Sequence, residues 1–80
     1  MNSDKEPCGL DITLEDIRKI ENQYDVTIRA HFDKIDRAWC FDFERGVYIS
    51  RLVFLASEMS TEPKDKFLET FSTYASYLAK

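Results

Sequence analysis

Acid–base chemistry near neutral pH falls first to histidine, and this chain has one, His31. It alternates with Thr27 and Arg29 along a stretch whose other residues are apolar. That places it on the solvent side of a strand, with no partner dictated by the spacing. Nucleophilic chemistry would fall to Cys8 or Cys40. Cys40 stands between Trp39 and Phe41, an apolar setting that disfavours a thiolate, and is expected as a small buried side chain. The acids offer two close pairs, Asp33 with Asp36 across a turn and Asp42 with Glu44 on one strand face. A calcium loop needs a denser Asp/Asn array with a central Gly and a closing Glu. One histidine and two distant cysteines do not make a structural zinc site. Gly9 and Gly46, the only glycines, cannot build a phosphate-cradling loop. The expectation is a protein with no catalytic residue, no metal and no cofactor.

The elements that must position these residues follow from period and caps. Residues 1–9 are polar, contain Pro7 and Gly9, and read as a flexible arm before one domain over residues 10–80. Thr13 followed by Asp16 imitates a capping box and opens a helix whose apolar stripe is Leu14, Ile17, Ile20 and Tyr24. The period then changes to two. Val26, Ile28, Ala30 and Phe32 alternate with polar residues, and Asp33-Lys34-Ile35-Asp36 reads as a turn. A second strand near residues 37–44 puts Trp39, Phe41 and Phe43 on one face and Cys40, Asp42 and Glu44 on the other. Gly46 supplies the positive φ of a tight connection. Val47 to Leu55 favours a third strand, although Ile49, Leu52, Val53, Ala56 and Met59 also fit a helical stripe. Ser60-Thr61-Glu62-Pro63 begins a last helix with Phe67, Leu68, Phe71, Tyr74, Ala75 and Leu78 inward. The predicted fold is α+β, in the order α-β-β-β-α, with two helices on one face of a three-stranded antiparallel sheet. If residues 47–59 are helical instead, the order becomes α-β-β-α-α.

Composition narrows the function classes. The longest uninterrupted apolar run, Leu52 to Ala56, is far short of the ~20 residues of a membrane-spanning helix. The first seven residues lack the basic start and apolar stretch of a signal peptide. Two cysteines too few for a disulfide framework agree with a reducing compartment, so a cytoplasmic protein is expected. The net charge of −4 resides in the N-terminal third, where residues 1–25 hold seven acids and three bases. No basic groove for phosphates is present, which argues against direct nucleic-acid binding. The α-β-β-β-α order is shared with double-stranded-RNA-binding domains. Those need clustered bases at the start of the last helix, where this chain has Lys64 and Lys66 among Glu62 and Asp65.

What remains is an excess of aromatics: six Phe, four Tyr and one Trp in 80 residues. A three-stranded sheet under two short helices has limited interior, so some rings are expected at the surface as protein-binding anchors. The candidates are Tyr48, Tyr74 and Tyr77. The acidic helix adds Glu15, Asp16, Glu21 and Asp25, which would face a basic partner protein and stand in for nucleic-acid phosphates. The sequence thus reads as a small acidic inhibitor or regulator, of the kind phages and plasmids encode. A structural subunit working as a homodimer is the alternative.

Overall fold

A computed structural model describes residues 7–79 of the chain. A short 3-10 turn at Gly9–Asp11 leads into α1 (Leu14–Tyr24), and three strands follow: β1 (Thr27–Asp33), β2 (Ala38–Arg45) and β3 (Tyr48–Leu55). Two helices complete the chain, α2 (Ala56–Thr61) and α3 (Lys64–Ala79). The fold is α+β, with the strands in the antiparallel order β1-β2-β3.

α1 begins as its cap residues dictate. The Thr13 hydroxyl accepts from the Asp16 amide (3.1 Å), and the Asp16 carboxylate accepts from the Thr13 amide (3.0 Å). The helix ends at Asp25 in the left-handed conformation (φ 55°). Glu21 then joins helix to strand, accepting from the Ile28 amide at 2.9 Å. The β1–β2 turn is closed by Asp33, whose carboxylate accepts from the amides of Ile35 (2.9 Å) and Asp36 (3.2 Å).

The stretch over residues 47–59 divides between the two readings its pattern allows. Residues up to Leu55 are strand, paired along their length with β2, and from Ala56 the chain turns into a helix that buries Met59. This adds α2 to the predicted order. α3 accordingly starts at Lys64, while Ser60 and Thr61 belong to α2.

The helices share one face of the sheet. Ile17 and Ile20 of α1, Met59 of α2, and Phe67, Phe71 and Ala75 of α3 pack against Ile28, Phe41, Phe43 and Leu52. Phe71 lies at the centre, its ring centroid 4.7 Å from Phe41, 5.6 Å from Phe43 and 6.1 Å from Phe54. Rings run on in both directions, through Trp39 to Phe32 and through Phe43 to Tyr74. The aromatic surplus is therefore mostly core.

Of the arm expected over residues 1–9, residues 1–6 lie outside the described residues, and residues 7–9 are fastened down. The Gly9 amide donates to the Glu62 carbonyl (3.1 Å) and the Lys64 amide to the Pro7 carbonyl (3.0 Å). Gly9 is buried against Phe67. A glycine has no side chain and carries no hydrophobic signal, which is why this attachment is not visible in the pattern.

Candidate interaction surfaces

The four acids of the N-terminal helix region have different duties. Asp16 serves the cap and also pairs with Lys64 Nζ at 2.9 Å. The Thr13 amide, with Lys64 beside it, pulls the Asp16 carboxyl down to about 2. Glu21 is committed to the Ile28 amide. Glu15 and Asp25 are exposed, and their carboxylates make no hydrogen bond or ion pair among the described residues. Of the three tyrosines, Tyr48 and Tyr77 stand about two-thirds exposed, while Tyr74 is half-buried against Phe43. Tyr48 and Tyr77 lie toward the same end of the domain. There Arg45, opposite Tyr48 in the ladder, donates through Nη1 to the Leu78 carbonyl at 3.4 Å. That guanidinium sits where the α3 dipole is negative, in a helix with no basic residue in its last turn.

The sheet face away from the helices carries the residues that sequence reasoning weighed for chemistry. His31 and Val53 flank Cys40 across the two ladders, and Cys40 is buried beneath them. A thiol so covered is a packing group. Asp42 accepts two hydrogen bonds from Arg51, from Nε at 2.6 Å and from the second guanidinium nitrogen at 3.1 Å, which holds its carboxyl below the usual range. Glu44 accepts from Arg29 Nε at 3.0 Å. Both cysteines are free thiols, and no group of three or more His, Cys, Asp or Glu among the described residues is placed to hold a metal. No helix among the described residues is long and apolar enough to cross a membrane.

The helices leave part of their own sheet face uncovered. Ala30 and Phe32 of β1, on the inward parity, are exposed. Beside them opens an apolar cleft of about 120 Å³, walled by Leu10, Ile12, Ile17, Trp39, Phe41 and Met59 with Gly9 and Ala30. Comparison with protein-family models, with curated proteins and with solved structures found no match. The elements that wall the cleft hold Asp11, Glu15 and Glu58 at exposed positions, and Arg18, Lys19 and Arg29 likewise. Such a volume suits one aliphatic side chain, being somewhat below the ~150 Å³ of a cavity that binds benzene.

A second surface lies on β3. Of the ten large apolar residues exposed among those described, five are Val47, Tyr48, Ile49, Val53 and Leu55. Ile49, Val53 and Leu55 share the open face, so β3 is apolar on both sides of a sheet covered on one. Of this set only Tyr48 is among the expected anchors, and the aliphatics are additional. The available signal was their parity: a half-buried strand should alternate, and residues 47–55 do not.

Proposed function

We infer that the chain is a small acidic protein-binding module that inhibits or regulates a partner, and that the cleft between the 3-10 turn, α1 and β1–β2 is its docking site. The observation that carries this reading is an open apolar cleft with the single tryptophan in its wall. Such a site suits a segment that inserts one aliphatic anchor, and the chain's net charge of −4 favours Lys or Arg in its flanks. In this reading the protein works in the cytoplasm and the partner's basic surface is one that otherwise meets nucleic acid. Glu15 in the first turn of α1 and Asp25 at its C-cap, ten residues on, stand about 15 Å apart along the helix axis and supply the mimicry. A phage- or plasmid-encoded antagonist fits that description.

The test uses the tagged full chain in lysate with nuclease added. Ala30→Arg fills the mouth of the cleft from an exposed position, and Glu15→Lys reverses an exposed charge on α1. A stoichiometric protein captured by the wild type and lost from both variants supports the site. A protein retained by both variants refutes it, as does the absence of any captured protein.

A further inference from the structure

The sheet has two edges, and they differ in kind. β1 presents Arg29, His31 and Asp33 on the open face, charges that discourage a further strand. β3 presents Ile49, Val53 and Leu55, each 54% to 70% exposed, and contains no proline, lysine or acid. Its one charge, Arg51, is committed to Asp42 of its own chain. No strand among the described residues pairs with the outer side of β3. An edge so long and so apolar is a template for strand addition unless something covers it.

The β2–β3 turn determines which backbone groups are free. Arg45 faces Tyr48, and the two residues between them begin with Gly46 at φ 62°. Val47 is not among the positive-φ residues, so the turn is of type II′. Arg45 and Tyr48 then form a hydrogen-bonded pair, and Ser50, Leu52 and Phe54 repeat it toward β2. Ile49, Arg51, Val53 and Leu55 direct their amides and carbonyls outward. These are the residues whose side chains make the open-face patch.

We propose that β3 is the interface of a homodimer, in which two copies pair antiparallel about a two-fold axis at Leu52 to give one six-stranded sheet. This register sets Ile49 opposite Leu55 of the second copy, Arg51 opposite Val53, and Ser50 opposite Phe54. Aliphatics meet aliphatics, and the Arg51 stem lies along a valine while its guanidinium stays on Asp42. A register centred on Arg51 would set two guanidiniums face to face. Pairing over residues 49–55 runs about 24 Å and covers roughly 500 Å² per copy, below the ~800 Å² of a standard interface. An interface of that size belongs with the weak, transient ones. The dimer closes at two copies, because the outer edges of the joined sheet are the charged β1 strands. The cleft over β1 and β2 stays open in both copies, so the dimer is bivalent.

Sedimentation of the full chain between about 1 µM and about 500 µM tests this, since an interface below standard size dissociates in that range. The wild type is expected to pass from one chain to two. Val53→Lys sets a cation opposite Arg51 of the second copy and raises the midpoint about tenfold or more. Val53→Glu sets a carboxylate there and keeps the dimer, now sensitive to salt. Val53 is exposed, and an unchanged circular dichroism spectrum for both variants at the lowest concentration establishes that the fold is intact. A wild type that remains a single chain throughout overturns the proposal, and so does equal behaviour of the two variants. Ala30→Arg leaves sedimentation unchanged, so the outcome here is separate from that at the cleft.

Discussion

Replacing Gly9 by alanine adds one methyl group where the structure has no room for it. A Cβ built there would lie 2.6 Å from Phe67 Cε2, 2.8 Å from Phe67 Cδ2 and 3.0 Å from the Met59 carbonyl oxygen. Non-bonded carbons prefer roughly 3.5–4.0 Å, so the overlap with the ring is about 1 Å. Neither neighbour yields easily. Phe67 is 1% exposed and meets Phe54 edge-on at a centroid distance of 5.0 Å, and the Met59 oxygen is backbone. The segment from Pro7 to Ile12 must move instead, at the expense of the Gly9–Glu62 and Lys64–Pro7 hydrogen bonds. Overpacking of this kind costs about 1–3 kcal/mol. The stiffer unfolded chain returns about 0.4–1 kcal/mol, and weakened hydrogen bonds add a similar loss. The net expectation is a destabilisation of about 1–3 kcal/mol, or a fall in Tm of roughly 5–20 °C for a domain of this size. Urea unfolding followed by Trp39 fluorescence and by far-ultraviolet circular dichroism measures it, with the midpoint falling at constant slope. Trp39 and Gly9 line the same cleft, so the fluorescence reports the site directly. A midpoint unchanged or raised would refute the reasoning, because the N-terminal segment would then rest only loosely on the core.

Gly46→Ala isolates backbone strain from steric overlap: φ is 62° and no atom lies within 4 Å of the new Cβ, so a loss of about 1 kcal/mol is expected in the same urea assay. Phe71→Ala removes the central ring of the core, with an expected cost of about 3–5 kcal/mol. Against a total of about 4–12 kcal/mol for 80 residues, near-ultraviolet circular dichroism should show lost or loosened packing. Asp16 carries a pH dependence. Its pKa is lowered from 3.8 to about 2, so its contribution is present above 3.8 and lost as pH falls toward about 2. Solvent screening limits that contribution to about 1 kcal/mol, and urea midpoints of Asp16→Asn should show a shallower decline over this interval than the wild type.

The cap at Thr13, the alternation of β2 and the inward face of α3 were legible because each depends on neighbours within a few residues. Helix and strand periods project residues onto faces without reference to the rest of the chain. The break in alternation over residues 47–55 was equally local. It was visible as ambiguity between strand and helix, and the structure resolves it as a strand apolar on both sides followed by α2. The four acids around α1 looked equivalent in the sequence, and only the fold separates them. Asp16 meets Lys64, which is 48 positions away, and Glu21 meets the start of β1, whereas Glu15 and Asp25 are left to solvent.

Gly9 shows the same division most sharply, since its importance lies in an absent side chain beside a ring 58 positions on. The cleft likewise has no counterpart in any one segment, because its walls come from the 3-10 turn, α1, β1, β2 and α2. Sequence by itself determined the types of the five main elements and the core faces, since those depend on local period. Tertiary structure decided how far three short helices reach across the sheet. The uncovered end of the inner face exists because those helices stop where they do, and the edge of β3 is bare because no fourth strand among the described residues pairs with it.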